Sequence, residues 1–165
     1  MRQIKIRRTD ISALDTVMAI YEHARQRMRQ SGNATQWTNG YPSRQIITAD
    51  INAGNSYIIA TDEKITGVFT FIIGNDTNYS IIDGAWPDHA LYGTIHRIAA
   101  APEANGIADI ALDFCKKAGV NIRIDTHADN APMLNWIAKR RFTYCGIIHV
   151  EDGTPRRAFQ LSLHD

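Results

Sequence analysis

The segment Ile95 to Cys115, "IHRIAAAPEANGIADIALDFC", constrains the fold more than any other stretch. Its first residues read as a strand. Its last ones, with Ile107, Ile110, Ala111 and Phe114 at helical spacing, read as a helix with one apolar face. Pro102 and Gly106 break both patterns between them. A strand, a tight turn and a helix start bring backbone N–H groups to the positive end of a helix dipole, an arrangement suited to a phosphate. The same arrangement also serves as a plain connection, with Glu103 and Asp109 complementing the dipole.

The rest of the chain alternates between the two periods in a definite order. "IKIRRT" opens as a strand, and from Asp10 the residues Ile11, Leu14, Val17, Met18, Tyr21 and Met28 recur at helical spacing up to Gly32. Residues 32–42 form a polar loop carrying Trp37 and Tyr41, and Ser43 suits the cap of a second helix with Ile46, Ile47 and Ile51 inward. "SYIIAT" and "ITGVFTFII" read as a hairpin turning at "DEK". A short strand is expected at Ser80 to Ile82, then one at "LYGTIHRIA", the helix after the break, and a strand at "NIRIDTH". The last helix is capped by Asp129 or Asn130 with Pro132 in its first turn, and "TYCGIIHV" and "PRRAFQLSL" close the chain as a hairpin. The order β-α-α-β-β-β-β-α-β-α-β-β, without repeat or linker, reads as one mixed α/β domain over residues 1–165.

Composition narrows the partners. A formal net charge of +1 gives no bulk argument for nucleic acid or an anionic membrane. The short run Lys139 to Arg141 reads as a solvated helix end. Cys115 and Cys145 are the only cysteines and neither lies in a C-x-x-C, so no disulfide framework or zinc site is indicated. The start lacks a signal-peptide core and no apolar run reaches membrane-spanning length. A cytoplasmic protein with reduced thiols is expected.

The order of elements, "HRIAAAPEANGIA" and "NAPMLNWIAKRRF" resemble the GNAT superfamily, N-acetyltransferases that use acetyl-CoA. The chain is similar to a bacterial branch of unassigned substrate, which shares "DGAW", "YGTIHRIA" and the pattern "YCGII-VEDGTPR". The resemblance implies a central, mostly antiparallel sheet splayed in the middle and flanked by about four helices. It implies that backbone groups of Ile98, Ala99 and Ala100 hold the pantetheine and the thioester. It makes Glu103 to Ala108 the pyrophosphate loop and Asn130 the asparagine that contacts the pantetheine arm. Three positions depart from the family pattern: Glu103 replaces Gln or Arg, Ile137 replaces a helical tyrosine that often serves as general acid, and Arg141-Phe142 replaces Gly-Phe.

Within that frame the cofactor-binding candidates are Ile98, Ala99, Ala100, Ala104, Asn105, Gly106, Ile107, Ala108, Asp109 and Asn130. His96, expected on one strand face with Thr94 and Ile98, is placed to take a proton from an amine through one water, or is a buried histidine bonded to a neighbour. Tyr144 is the candidate proton donor to the leaving thiolate, or half of a cross-strand aromatic pair. Trp37, Tyr41, Asp83 and Trp86 are candidate substrate contacts; the aromatics equally suit a cluster tying loops to the core, and Asp83 and Glu22 equally suit surface charges. No metal is expected. The expected activity moves an acetyl group from acetyl-CoA to a small-molecule or peptide amine, with a homodimer as one permitted assembly and neither nucleic acid nor membrane as partner. The alternative is a non-catalytic module of the same fold that binds an acyl-CoA or a partner protein.

Overall fold

The change of period at Asp10 marks the end of the first strand. β1 (Ile4–Arg8) gives way to a 3-10 turn at Ile11–Ala13, where the Asp10 carboxylate accepts the Ser12 N–H, and then to α1 (Leu14–Gln30). The computed structural model describes residues 1–163. α2 (Arg44–Asn52) starts at Ser43, whose hydroxyl accepts the Ile46 N–H at 3.2 Å. β2 (Ser56–Thr61) and β3 (Lys64–Ile73) form the expected hairpin. There follow β4 (Asp83–Gly84), β5 (Tyr92–Ala100), α3 (Ile107–Lys116), β6 (Asn121–Thr126), α4 (Ala131–Lys139), β7 (Thr143–His149) and β8 (Pro155–Leu161).

The element order agrees with the sequence reading, and one strand is displaced. Ser80 does not open a strand, because it closes a 3-10 turn at Thr77–Tyr79 by donating its hydroxyl to the Thr77 carbonyl at 2.8 Å. The fourth strand is Asp83–Gly84 instead.

Among the described residues, eight strands join one sheet in the order β1-β2-β3-β5-β6-β8-β7-β4. Every neighbouring pair is antiparallel except β5 and β6, which run parallel through only Tyr92–Asn121, Gly93–Ile122 and Thr94–Arg123. Beyond Thr94 the two strands part, and the sheet is splayed as expected.

Each face of the sheet carries its own core. Val17, Tyr21 and Ile47 of α1 and α2 pack on Ile58, Val68 and Ala99. On the other face Ile107 and Leu112 of α3 and Ile137 of α4 pack on Phe69, Ile95, Ile122 and Ile124. A smaller cluster of Tyr79, Tyr92, Ile148 and Ala158 anchors the loop before β4. Gly67 on β3 seats the start of α3: a Cβ there would lie 2.7 Å from Ile107 Cγ2. Gly67→Ala should therefore destabilise the fold by about 1–3 kcal/mol through overpacking. Urea unfolding checks this, and an unchanged midpoint would show that α3 is not fixed by this contact.

Candidate functional site

The site begins with an irregularity in β5. Val68 pairs with Ala99 and Thr70 with His96, so Arg97 and Ile98 together oppose Phe69 alone. This is a β-bulge, and Arg97 takes the left-handed backbone at φ 51°. The extra residue changes which side chains share a face. His96 and Ala99 lie toward α1 and α2, whereas Ile98 and Ala100 pack with the core under α3 and α4. The expected shared face of His96 and Ile98 is thus overturned by the bulge.

Long-range hydrogen bonds hold the bulge in place. The Tyr21 hydroxyl donates to the Arg97 carbonyl at 2.9 Å. The Arg97 guanidinium donates to both oxygens of Asp50 at 2.8 Å each and to the Tyr41 hydroxyl at 3.0 Å. Thr70, opposite His96, also donates to Asp50 at 3.0 Å. Tyr41 is brought to this wall by Arg25, which bonds the carbonyls of Gly40, Tyr41 and Pro42 and pairs with Glu22, and Trp37 packs edge-on against Tyr21 and Tyr41. Glu22 is consumed by that pair.

Where β5 and β6 part, a cleft of about 630 Å³ opens, lined by residues that include Trp37, Tyr41, Asp76, His96, Ile98, Asp125, Asn130 and Arg156. His96 Nε2 lies 2.8 Å from Asp76 Oδ2, both side chains mostly buried. Asp76 Oδ1 accepts the Asn78 N–H, and the Asp76 N–H donates to the Tyr92 hydroxyl at 2.8 Å. Burial pushes the Asp76 carboxyl up, but the hydrogen bond and charge of His96 outweigh it and hold it below the usual carboxylate value. An ionised Asp76 accepts a hydrogen bond from the Nε2–H, which leaves Nδ1 as the nitrogen with the free lone pair.

On the far side of the parting lies the turn from Glu103 to Gly106. Gly106 has φ 72° and is the N-cap of α3 without a side-chain cap. The first backbone bond of that helix runs from the Ile110 N–H to the Gly106 carbonyl, so the N–H groups of Ile107, Ala108 and Asp109 have no intrahelical acceptor. The Asp109 carboxylate is occupied: Trp136 Nε1 donates to it at 2.9 Å and Arg140 grips both oxygens at 2.5 and 2.6 Å. Glu103 is exposed to water. Asn130 caps α4 by accepting the Met133 N–H, and its amide donates to Thr126 Oγ1 at 3.1 Å and to Gln36 Oε1 at 3.3 Å.

Of the predicted contacts, Trp37, Tyr41, His96, Ile98 and Asn130 therefore line the cleft. Ala99, Ala100 and the turn residues Ala104, Asn105, Gly106, Ile107, Ala108 and Asp109 do not; the turn lies beyond the end of β5. Tyr144 is also outside the cleft: it points outward from β7, over half exposed, with its ring 5.5 Å from that of its cross-strand partner Phe159. Cys145 is buried and donates to the Thr143 carbonyl. Asp83 is exposed on β4, and Trp86 donates to the Tyr79 carbonyl while Arg123 stacks on its ring at 3.9 Å, so neither reaches the cleft.

Asp76, Asp50, Arg97, Gln36 and Arg156 escaped the sequence reading. Their partners lie far along the chain, and only the Arg97 bulge, which interrupts "IHRIAA", involves a segment already singled out. Because the Asp76 carboxyl is depressed in the folded chain, its contribution to stability is fully present above about pH 4 and fades as pH falls through the folded value. Asp76→Asn should thus be less stable than the parent at neutral pH and lose less stability between pH 4 and pH 2. Urea midpoints across that range measure the difference, and parallel pH profiles would disprove the coupling.

No family model and no curated protein matches this sequence. Solved structures do match. The fold is similar to that of a GNAT-family acetyltransferase from Streptococcus agalactiae, with TM-score 0.86 and 29% identity over 98% of this chain and 96% of that one. A GNAT-family acetyltransferase from Listeria monocytogenes matches with TM-score 0.73 and 17% identity over 97% and 95% of the two chains. The yncA protein of Salmonella typhimurium, solved with its cofactor acetyl-CoA, matches with TM-score 0.62 and 15% identity over 98% and 95%. The strand order, the parting of β5 from β6 and a likeness that runs the length of both chains give this protein the fold of the GNAT-family acetyltransferases it resembles.

Proposed function

We propose that the protein is an N-acetyltransferase that moves an acetyl group from acetyl-CoA to a primary amine by direct transfer. The observation that carries this reading is the His96–Asp76 pair, which stands at the parting of β5 from β6 while an uncapped helix start lies beyond the end of β5. The residues fit the cofactor. The space beside Gly106 is open, with nothing among the described residues within 4 Å of where a Cβ would be, and the first-turn N–H groups of α3 suit a diphosphate. Arg140 balances the Asp109 carboxylate and Glu103 stands in water, so neither opposes an anion strongly. The same fold holds acetyl-CoA in the yncA protein.

Acetyl-CoA would supply the activated acyl thioester; the chain supplies position and a base. The splay leaves edges of β5 and β6 without each other as partners, a seat for an extended chain bearing amides. Asp76 fixes the His96 ring through Nε2, so that Nδ1 is free to take the proton of an ammonium directly or through one water. Asp125, also in the cleft, attracts that ammonium before deprotonation. Ile137, where related enzymes carry a tyrosine, is 1% exposed in the core and donates no proton. A thiolate leaving group needs little help at neutral pH, because its pKa is close to that of a free thiol.

Two measurements test the reading. Gly106→Val should abolish acetyl-CoA binding in calorimetry while the fold survives, because a β-branched residue does not adopt φ 72° without strain. Unchanged affinity in a folded variant removes the phosphate site from the turn. His96→Ala should lower turnover with an accepted amine by about 10²–10⁴-fold at neutral pH, with acetyl-CoA affinity nearly unchanged. The deficit should shrink as pH rises and the amine loses its proton unaided. A full-rate variant with the parent pH profile assigns the base elsewhere.

A further inference from the structure

Three strands that are consecutive in the sheet present polar side chains to the same face of the cleft. Thr94 pairs with Arg123, so His96 and Asp125, two residues further on, point to the same sheet face from the two sides of the parting. Asp125 pairs with Ala158, and Arg156 is two residues from Ala158 on the same face of β8. All three line the cavity.

Arg156 is the unusual member. It is 8% exposed, and its Nη1 donates to Thr154 Oγ1 at 2.9 Å and to the Pro155 carbonyl at 2.8 Å. Among the described residues no carboxylate forms an ion pair with it. Asp152, at the rim, spends Oδ1 on the Thr154 N–H and hydroxyl, and Glu151 is exposed. The Asp152 carboxylate feels the Arg156 charge without touching it, so this mostly buried guanidinium lacks a carboxylate in direct contact, and its fork geometry matches one. The turn that holds it is closed by the Val150 N–H to the Thr154 carbonyl and the Gly153 N–H to the Val150 carbonyl, so the group is preorganised.

Asp125 has the opposite demand. Oδ2 accepts the Tyr79 hydroxyl at 2.6 Å, and Oδ1 has no donor among the described residues. Asp76, by contrast, uses both oxygens, on the Asn78 N–H and on His96. The cleft thus has one carboxylate ready for a cation and, one strand further on, one guanidinium ready for an anion. A polyamine would satisfy the first and be repelled by the second.

We propose that the acceptor amine carries a carboxylate of its own: an amino acid or short peptide whose carboxylate sits on Arg156 and whose ammonium faces Asp125 and His96. This rests on the acetyltransferase reading above. Arg156 is then the residue that determines acceptor specificity.

The test compares amino acids and dipeptides as free acids with the same compounds as C-terminal amides. Thiol release is read with acetyl-CoA present, and thermal shift with each compound alone and with CoA. The parent should prefer free acids by on the order of 10²-fold in kcat/KM, carried mainly by KM. Arg156→Gln should erase that preference with acetyl-CoA affinity unchanged, and Arg156→Lys, which keeps the charge without the fork, should retain part of it. Acids and amides used alike, or a preference that survives in Arg156→Gln, overturns the Arg156 assignment and leaves the acetyltransferase reading standing. A shift with acids alone, lost in Arg156→Gln, without acetyl-CoA binding or thiol release, upholds the Arg156 site and defeats the acetyltransferase reading. No shift and no turnover with any free acid overturns the proposal.

Discussion

Arg97 occupies left-handed backbone, which costs a residue with a side chain about 1–2 kcal/mol, and it stays there because α1 and α2 both hold it. Tyr21 of α1 takes the carbonyl and Asp50 of α2 takes the guanidinium through two parallel bonds. A bidentate pair between mostly buried groups fixes direction as well as distance. Were it absent, β5 would have no reason to keep its extra residue, and every side chain after His96 would change faces. The packing of Ala99 against α1 and of Ile98 against α3 both follow from that one pair.

The same bulge lets the site use both faces of one sheet. His96, Asp76 and Asp125 stand on the side of α1 and α2, while the left-handed Gly106 and the start of α3 belong to the other. Between them the parallel ladder of β5 and β6 ends after three pairs. In the direct transfer proposed above, donor and acceptor would approach from opposite sides through this opening. Gln36 crosses part of that opening: its side-chain oxygen lies 3.3 Å from the Asn130 amide and 3.4 Å from the His127 N–H, tying the loop before α2 to the start of α4.

Much of the architecture was legible because it depends on local periodicity. The helical spacing from Ile11 to Met28, the Ser43 cap, the hairpin at Asp62-Glu63 and the Asn130 cap are short-range signals, and the elements follow them. The strand near Ser80 was misplaced because a 3-10 turn and a two-residue strand have almost no periodicity to read. The site was less legible. His96 and Asp76 are twenty residues apart, Arg97 and Asp50 forty-seven, and nothing near either aspartate announces its partner. Strict alternation along β5 also assigns Ile98 the wrong face, since one left-handed residue reverses the pattern. Tyr144 stood out as an aromatic after the last helix, yet register pairs it with Phe159.

The two outer strands have a consequence for how the protein behaves among copies of itself. β4 is only Asp83 and Gly84, pressed so closely to β7 that a Cβ on Gly84 would lie 2.1 Å from the Cys145 carbonyl oxygen. At the other margin β1 carries Lys5, Arg7 and Arg8 along five residues. A backbone template for intermolecular strand addition needs length and neutrality, and neither margin offers both. Crowded solutions should thus bring these molecules together through side chains, with little tendency to extend the sheet from one molecule into the next.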